Sequence, residues 1–468
     1  MSTTAPATAP EGIRRALVVG LGASGTAAAR ALHAAGVEVV MVDDRSDHPA
    51  AAELTAAGID VALGVTPLDR LDDVDLVVPS PGVPERAPVL QAAAERDLPV
   101  WSEPELGHRL HPRRLLAVTG TNGKTSVTEL LATMLQAGGL DAVACGNIGR
   151  PFTEAAAVAA ADAVLVAELS SFQLRFAHRL RPEVGVLLNL AADHLDWHPD
   201  LAAYGEAKAR LWQAQQAGDW AVTNQADAVT VDLGDRFAPA GRAAFDGDAL
   251  VAGVGVGVAD GHLMAATPIF TGRLLPVADL ALDAPHHRAN VAAAATAALL
   301  AGVAPATVAE VARTFHPGAH RLELVAEIDG VRYVDDSKAT NVHAAAAALR
   351  SAPSIVWVAG GLAKGVDLSA LAGDLGAVRA AVLIGTAAPE LAEVCASVGV
   401  RSQHAETIES AVEAASRAAR AGDTVLLAPA CASFDQFSGY AERGERFAAA
   451  VRALRSPTPG VPMSGDRS

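Results

Sequence analysis

A glycine-bearing segment between a hydrophobic run and an amphipathic pattern has the residue types of a phosphate-binding loop. The run ends at Val118, and positions 119–126 read Thr-Gly-Thr-Asn-Gly-Lys-Thr-Ser. In such a loop, backbone N–H groups cradle phosphate oxygens, the lysine reaches the outer phosphates, and the next hydroxyl binds Mg²⁺. The usual pattern, G-x-x-x-x-G-K-[ST], has a glycine where this chain has Val118. The segment predicts a nucleotide triphosphate site formed by Gly120, Thr121, Asn122, Gly123, Lys124, Thr125 and Ser126.

Three polar residues that follow in the chain have side chains suited to metal or proton chemistry. Glu168 comes directly after the apolar run 163–167, which places a carboxylate at a strand end near the loop. Mg²⁺ requires hard oxygen ligands, so we favour a metal role over that of an acid at a helix start. Taken alone, His194 reads as a capping donor in a polar loop. Lys208, taken alone, reads as a solvated lysine on a helix that begins near Tyr204.

The first part of the chain carries a glycine fingerprint between a strand pattern and a helix pattern. Residues 20–25 read Gly-Leu-Gly-Ala-Ser-Gly, and Asp43 lies about 20 residues further on, where a ribose contact is expected. The alternative is a tight strand–helix turn that needs glycine for steric reasons alone. We favour binding of a diphosphate, which any nucleotide diphosphate offers. The turn Ser80-Pro81-Gly82 follows a later strand of the same block, where ligands collect.

Three polar loops follow successive strand patterns in the last third of the chain. The first covers residues 335–341, the second brings Lys364 after two glycines, and the third contains Ser433 and Phe434. One such loop is typical of a solvated turn. Three of them at strand ends that share one sheet edge predict a binding site for an anionic substrate.

Alternation of strand and helix patterns along the chain predicts three α/β domains with parallel sheets. We expect a Rossmann-like domain over residues 1–112, a P-loop ATPase domain with a mostly parallel sheet over 113–316, and a second Rossmann-like domain over 317–455. The Gly- and Val-rich stretch 245–283 predicts an antiparallel portion, and the Asp-Gly pair at 329–330 predicts a hairpin. The tail 456–468 is rich in Pro, Gly and Ser and is expected to be disordered.

Composition narrows the class of protein. The 468 residues are 51% hydrophobic, which is enough for sizeable cores, and the net charge of −17 argues against nucleic acid as the main partner. The three cysteines have neither close pairing nor metal-site spacing, so we expect a reducing, cytoplasmic setting. No apolar run reaches the length of a membrane span, so we expect no membrane insertion.

Together these segments resemble the Mur ligase superfamily, the ATP-dependent enzymes that add amino acids to the peptidoglycan precursor. The superfamily loop typically reads T-G-T-N-G-K-[ST], as positions 119–125 do, so Val118 favours this family. The resemblance runs from about Ala16 to Arg455 and is strongest to the members that add D-glutamate. Besides the loop, the segments that carry it are 20–25, 80–82, 146–149, 168–174, 336–341 and 429–433. The chain lacks the Asp-Asn-Pro-Arg segment of members that add diaminopimelate or lysine.

The resemblance implies roles for single residues on the nucleotide side. The UDP moiety of one substrate would be held by Ala23, Ser24, Asp43, Asp44, Ser80 and Gly82. ATP phosphates and two Mg²⁺ ions would be bound by Lys124, Thr125, Glu168 and His194, together with Lys208 carried as a carbamate. Asn147 would contact the substrate. The adenine and ribose side would be addressed by Asn290 and Arg321, with His320 and Asp336 nearby. His287 stands where the family often has an asparagine.

On the amino-acid side, the resemblance implies that D-glutamate is bound by Lys338, Thr340, Lys364, Ser433, Phe434 and Tyr440. The expected reaction joins D-glutamate to UDP-N-acetylmuramoyl-L-alanine through an acyl-phosphate, with ADP and phosphate as the other products. We expect the small molecules to be the partners, and the protein to be a monomer.

Three other classes of protein share parts of this pattern. A folylpolyglutamate synthase shares the loop and a glutamate-like acceptor, but residues 20–25 argue for a separate UDP-binding block that it lacks. A dinucleotide-dependent oxidoreductase would explain the first block of the chain, but it would give no role to the phosphate loop or to Lys208. A non-catalytic nucleotide-binding regulator needs no polar loops in its last domain.

Overall fold

The computed structural model describes residues 8–194, 197–281, 284–316, 318–363 and 366–454. Lys364 and the tail 456–468 lie outside the described residues. Contacts within the chain divide it into two compact units, Met1–Phe315 and His316–Ser468. The first unit contains two sheets and the second contains one. In the described part of the chain, no helix is both long and apolar enough to cross a membrane.

The first sheet has four parallel strands in the order β3-β2-β1-β4. These strands are β1 (Arg15–Val19), β2 (Glu38–Asp43), β3 (Asp60–Leu63) and β4 (Leu76–Pro79). The accompanying helices are α1 (Ala23–Ala34), α2 (Ala51–Ala56), α3 (Pro88–Glu95) and α4 (Glu103–Leu110). β1 is apolar along most of its length because, as an inner parallel strand, it is covered on both faces. The carboxyl ends of β1, β2 and β4 bring the glycine turn, Asp43 and Ser80 to one edge.

The second sheet has nine strands in the order β13-β12-β11-β10-β9-β8-β5-β7-β6. Its parallel part starts with β5 (Arg114–Thr119), β6 (Ala142–Gly146), β7 (Val164–Glu168) and β8 (Val184–Leu187) and continues with β9 (Trp220–Asn224), β10 (Gly241–Phe245) and β11 (Gly255–Ala259). The last strands, β12 (His262–Thr267) and β13 (Phe270–Pro276), are antiparallel to β11 and to each other. The antiparallel portion predicted from the sequence is therefore confirmed.

Helices cover both faces of the second sheet. They are α5 (Lys124–Ala137), α6 (Phe152–Val158), α7 (Ser171–Arg175), α8 (Leu201–Ala209), α9 (Ala228–Phe237), α10 (Pro285–Leu300) and α11 (Pro305–Thr314). The buried face of α10 consists largely of alanines, which let α5, α10 and the sheet pack closely in the largest apolar cluster of the described residues. Small residues therefore replace the aromatics that this chain lacks.

The third sheet, in the second unit, has the order β14-β15-β19-β16-β17-β18. Its strands are β14 (Glu323–Ile328), β15 (Val331–Asp335), β16 (Ile355–Gly360), β17 (Val378–Ile384), β18 (Arg401–His404) and β19 (Thr424–Leu427). Its helices are α12 (Val342–Leu349), α13 (Ala388–Ser397), α14 (Ile408–Ala418) and α15 (Tyr440–Ala453). β14 and β15 form the predicted hairpin, and both turn residues have positive φ, as a type I′ turn requires. The α/β fold class with three sheets is confirmed.

Two segments of the first unit differ from the sequence-based assignment. Residues 101–112 show little periodicity, yet they contain α4, because Ser102 accepts a hydrogen bond from the Glu105 N–H and Pro104 fits the first turn. The helix predicted to begin near Tyr204 begins earlier, at Leu201, because the Asp200 side chain caps it. It ends at Ala209 and is followed by a 3₁₀ turn.

α4 links the first two sheets of the first unit through two buried carboxyl groups. Glu105 is fully buried, accepts hydrogen bonds from the backbone N–H groups of residues 178–180, and pairs with Arg109 at 2.7 Å. Glu103 Oε1 accepts from the Thr153 N–H at 2.5 Å and from its hydroxyl at 2.6 Å, at the start of α6. Burial raises the pKa of Glu103 to about 7. The connection between the two sheets is therefore polar and specific.

Candidate active site

The phosphate loop connects the end of β5 to the start of α5, and its glycines are required by geometry. Gly120 has φ of 152°, and a Cβ there would lie 2.9 Å from the Leu188 Cβ. Gly123 has φ of 81°, and a Cβ there would lie 2.6 Å from Asn290 Oδ1. Val118, by contrast, is still inside β5 and fully buried, so no glycine is needed at that point. This placement explains the departure from the usual loop pattern.

A side-chain amide holds the loop from the neighbouring strand. Asn189, just after β8, accepts a hydrogen bond from the Asn122 N–H at 2.9 Å and donates one to the Asn122 carbonyl at 3.1 Å. The Thr121 hydroxyl lies 3.3 Å from the hydroxyl of buried Tyr204. Sequence reasoning did not single out Asn189 or Tyr204 as part of the loop. A polar residue that ends an apolar strand beside the loop strand is the signal that could have identified Asn189.

Lys124 is the first residue of α5, and its side chain folds back over the loop. Its Nζ donates to the Gly120 carbonyl at 3.0 Å and to the Thr121 carbonyl at 2.8 Å. The loop carbonyls thus orient the ammonium group directly beside the helix N-terminus, where anions are stabilised.

Three predicted residues from three elements converge beside the loop. Glu168, at the end of β7, accepts a hydrogen bond from the Thr125 hydroxyl at 2.7 Å and one from the Asn147 amide at 2.7 Å. The register explains the meeting, because Glu168 pairs with Val118 of β5 on one side and with Gly146 of β6 on the other. The Glu168 carboxylate is almost wholly buried. Hydroxyl, carboxylate and amide oxygens are the donors that Mg²⁺ prefers, so these residues fit a magnesium ion.

Lys208 is buried beneath the phosphate loop, with 1% of its surface exposed. Its Nζ donates to the Gly120 carbonyl at 2.8 Å and lies 4.5 Å from the centre of the Tyr204 ring. Burial, reinforced by the charge of Lys124, holds the pKa of Lys208 well below its ordinary value. The interpretation of Lys208 as a solvated helix lysine, made from the local pattern alone, is wrong. Burial therefore favours the neutral amine over the ammonium form.

His194 lies in the loop after β8 with a backbone φ of 55°. Its Nε2 is 3.8 Å from an Asp193 carboxylate oxygen, and its ring contacts the Phe172 ring edge-on at 4.8 Å. About half of its side chain is exposed. On the side of α10, the Asn290 amide oxygen lies against the phosphate loop at Gly123.

The glycine fingerprint at the end of β1 forms a close-packed turn. A Cβ at Gly25 would lie 2.0 Å from the Gly20 carbonyl oxygen, and the Ser80 hydroxyl donates to that same oxygen at 3.0 Å. Asp43 accepts the Leu21 N–H at 2.7 Å and forms an ion pair with Arg45, which holds the pKa of Asp43 well below its usual range. The remaining predicted residues of this edge are accessible to a ligand to different degrees, half-buried for Ser24 and exposed for Ala23, Asp44 and Gly82.

In the second unit, two of the predicted amino-acid-binding residues, Lys338 and Tyr440, are in contact at the start of α15. The Lys338 ammonium lies 3.6 Å from the centre of the Tyr440 ring. Ser433 is buried, whereas Phe434 is 63% exposed. Thr340 follows Lys338 in the loop after β15 and is half-buried.

A carboxylate–imidazole pair lies in the same unit. His320 Nδ1 is 2.7 Å from an oxygen of buried Asp335, and His320 has a φ of 64°. Burial raises the pKa of Asp336 to about 7, although Arg321 opposes that shift. Asp335 was not assigned its own role from the sequence, because it reads as one of two adjacent acids.

The chain is thus an α/β protein with a loop of the kind that binds nucleotide triphosphates between β5 and α5. Family models match three successive regions: the "Mur ligase MurD-like, N-terminal domain" matches 14–102, the "Mur ligase middle domain" matches 118–245, and the "Mur ligase, glutamate ligase domain" matches 320–431.

Curated relatives match nearly the whole chain. A protein of Frankia casuarinae named UDP-N-acetylmuramoylalanine--D-glutamate ligase is 50% identical, over 93% of each chain. Its namesake in Thermobifida fusca is 42% identical, over 94% of this chain and 98% of its own. The chain belongs to the Mur ligase family.

Solved structures agree with the fold. The chain is similar to a pseudomurein peptide ligase type C of Methanothermus fervidus, with a TM-score of 0.59 at 18% identity over 94% of this chain and all of that one. It is also similar to a UDP-N-acetylmuramate-alanine ligase of Thermotoga maritima, with a TM-score of 0.56 at 18% identity over 95% of this chain and all of that one. At this identity the likeness establishes the three-part α/β fold. Membership of the family makes the protein an ATP-dependent ligase.

Proposed function

We infer that this protein ligates D-glutamate to UDP-N-acetylmuramoyl-L-alanine in peptidoglycan synthesis. The products are UDP-N-acetylmuramoyl-L-alanyl-D-glutamate, ADP and phosphate. The observation that carries this function is the 50% identity, over 93% of both chains, to a relative named for it. The absence of an Asp-Asn-Pro-Arg segment agrees with the choice of D-glutamate over diaminopimelate or lysine.

The chemistry explains why ATP is needed. A free carboxylate is a poor acylating agent, so its oxygen first attacks the γ-phosphate of ATP to give an acyl-phosphate. The amine of D-glutamate then attacks the acyl carbon, and phosphate leaves. Two anions must approach each other in the first step, and Lys124, held at the N-terminus of α5, reduces their repulsion.

We propose that Thr125 and Glu168 hold one Mg²⁺ ion. The oxygens of these two side chains lie 2.7 Å apart, and Asn147 holds the other oxygen of the same carboxylate. The ion would neutralise phosphate charge as the carboxylate approaches. Asn147 therefore orients a metal ligand and in addition is proposed to contact the substrate.

A second Mg²⁺ ion is proposed at His194 and a carbamylated Lys208. An unmodified ammonium repels a cation, whereas a carbamate offers it oxygen ligands. The burial of Lys208 supports this assignment, because burial lowers the pKa of the amine and so favours its neutral form. A neutral amine can attack CO₂, which forms the carbon–nitrogen bond and releases a proton. Asp193 and Glu168 lie close enough to act electrostatically on Lys208, so the carbamate would form within an acidic cluster that a metal can occupy.

We propose that residues 1–112 bind the UDP moiety, residues 113–316 bind ATP, and residues 317–455 bind D-glutamate. The glycine turn, Ser24, Asp43 and Ser80 share one edge of the first sheet and suit a pyrophosphate and a ribose. Ala23, Asp44 and Gly82 complete the proposed UDP-binding set. Asn290, Arg321 and Asp336 are proposed to contact the nucleoside of ATP.

D-glutamate carries two carboxylates, so its site needs cations and hydroxyl groups. We propose Lys338, Thr340, Lys364 and Ser433 as those partners. Tyr440 supports this set, because its ring holds the Lys338 ammonium at 3.6 Å and so limits where that charge points. The exposed ring of Phe434 would cover the aliphatic part of the amino acid.

The function is tested by measuring ADP release from the purified protein with each substrate omitted in turn. Release should require both UDP-N-acetylmuramoyl-L-alanine and D-glutamate, and L-glutamate should not replace the D-isomer. Equal turnover with L-lysine or diaminopimelate as the acceptor would overturn the assignment. ADP release without any UDP-linked substrate would favour a folylpolyglutamate synthase or an ATPase instead.

A further inference from the structure

Arg443 in α15 is a fully buried cation with an unusual set of partners. None of its surface is exposed, and among the described residues it forms no ion pair with a carboxylate. Its guanidinium instead donates to the Ser337 hydroxyl at 3.0 Å and to three carbonyls, those of Ser337 at 2.9 Å, Gly360 at 3.3 Å and Cys431 at 3.2 Å. A buried charge held only by neutral acceptors is costly, which calls for an explanation.

The four acceptors belong to three segments at the carboxyl end of the third sheet. Ser337 follows β15, Gly360 ends β16, and Cys431 follows β19. The segments after β15 and β19 contain Lys338, Thr340 and Ser433, which are proposed to bind D-glutamate. One planar guanidinium carries five N–H donors in a fixed fork, so it can hold three backbone segments at once in a set geometry.

The loops are also fitted to one another around Arg443. Leu362 and Ala432 exchange backbone hydrogen bonds of 2.8 and 3.1 Å, and the Ala430 N–H donates to the Ala339 carbonyl at 2.9 Å. A Cβ at Gly361 would lie 2.2 Å from the Ala432 oxygen and 3.2 Å from Arg443 Nη1. The arrangement therefore tolerates little displacement of any one loop.

The charge of Arg443 persists, because burial lowers its pKa only to about 10. Asp335, Asp435 and Cys431 act on it electrostatically from the surrounding elements. Asp335 is engaged by His320 and the Ser337 N–H, and Asp435 by the Thr386 N–H. The thiol of Cys431 is neutral near pH 7, because burial raises its pKa to about 12.

We propose that Arg443 is a positioning residue for the amino-acid substrate. It sets the spacing of the three loops that bind D-glutamate and supplies a positive charge beneath them that favours a dianionic amino acid. This inference rests on the proposed function, since it takes these loops as the D-glutamate site. If Arg443 served stability alone, a substitution that still folds would not raise the KM of one substrate selectively.

The test compares Arg443→Lys with wild type in steady-state ligation, varying each of the three substrates. Lysine keeps the charge but replaces the five donors of the planar guanidinium with the three donors of one ammonium group. We expect the KM for D-glutamate to rise roughly tenfold to a hundredfold, the factor that corresponds to losing hydrogen bonds from a charged donor. The KM for the UDP-linked substrate should stay within about twofold, since its proposed site does not involve these loops. The KM for ATP should change less than that for D-glutamate, since Asp336 is the one proposed nucleoside contact in these loops. The control is Arg446→Lys, which changes an exposed arginine of the same helix that pairs with Glu409.

Ser337→Ala provides a milder second variant, because it removes one acceptor of Arg443 and leaves the three carbonyls. It also removes the hydrogen bond that the Ser337 hydroxyl donates to the Tyr440 carbonyl at 2.8 Å. Its KM for D-glutamate should rise about threefold to tenfold, as expected for the loss of one or two weak hydrogen bonds. If Arg443→Lys does not fold, this variant decides, and an unchanged KM for D-glutamate overturns the inference. Equal changes in all three KM values, or none, in folded Arg443→Lys also overturn it. A wild-type protein that does not use D-glutamate would instead overturn the proposed function.

Discussion

Replacing Lys208 by methionine should abolish ligation while leaving the protein folded. Methionine has nearly the length of lysine, and it removes an amine that is costly to bury. The Gly120 carbonyl, which accepts from Lys208 at 2.8 Å, keeps its second donor, Lys124, at 3.0 Å. The free energy of unfolding should therefore change by less than about 2 kcal/mol, the range for one hydrogen bond whose acceptor stays paired.

The effect on turnover should be much larger, because a carbamate at Lys208 would be an oxygen ligand to the second metal. Losing one group that stabilises charge in the transition state typically lowers kcat by about a hundredfold to a thousandfold. We expect at least the upper figure, measured as ADP release at saturating substrates. Glu206→Gln is the matched control, since Glu206 lies on the same helix and forms an exposed pair with Arg236.

Two measurements separate the carbamate from an ordinary structural lysine. Short carboxylates should partly restore the activity of Lys208→Ala, whereas high bicarbonate should not. Wild-type protein in ¹³C-bicarbonate should give a carbamate carbon resonance that is missing from Lys208→Met. The reasoning is refuted if folded Lys208→Met keeps more than about a tenth of wild-type turnover, a loss too small for a metal ligand.

Three other substitutions test separate parts of the account. Lys124→Ala should lower turnover by more than a hundredfold, as expected for loss of a transition-state charge contact, and activity within about tenfold of wild type would contradict the loop assignment. Gly123→Ala should destabilise the protein by about 1–3 kcal/mol in urea unfolding, because of its positive φ and the nearby Asn290 amide, whereas Gly373→Ala, where a Cβ meets nothing within 4 Å, should not. Glu103→Gln should remove a pH dependence: the folded-state pKa of about 7 lies above the unfolded value of 4.5, so wild-type stability falls as the pH rises between them. Between pH 4.5 and 7, wild type should therefore lose up to about 3 kcal/mol of unfolding free energy relative to Glu103→Gln. A difference between the two proteins that does not change with pH would contradict the burial of the charged carboxylate.

Local sequence patterns predicted the features that depend on backbone geometry. The position of the phosphate loop after β5 could be predicted from its glycines. The backbone has positive φ at residues 120 and 123, a conformation that favours glycine, and both glycines can be read from the sequence. Glu168 could be placed beside the loop because parallel strands of similar length end at the same sheet edge. The hairpin at 329–330 follows from its turn chemistry.

Features that depend on packing between distant segments were not predictable from local pattern. Lys208 lies on a helix of mixed polarity, and only the tertiary fold shows that it is buried under the loop, 88 residues earlier in the chain. Arg443 lies on a strongly charged helix, and nothing nearby in the sequence distinguishes it from Arg446, which is exposed. Contacts of this kind are set by which helix face meets the sheet.

We propose that the UDP-linked carboxylate is activated by transfer of phosphate from ATP. An isotope experiment uses UDP-N-acetylmuramoyl-L-alanine whose terminal carboxylate carries ¹⁸O, in the presence of ATP and D-glutamate. One labelled oxygen should appear in the released phosphate for each turnover, because that oxygen bridges carbon and phosphorus in the acyl-phosphate. Phosphate without label, alongside normal formation of the D-glutamyl product, would contradict it.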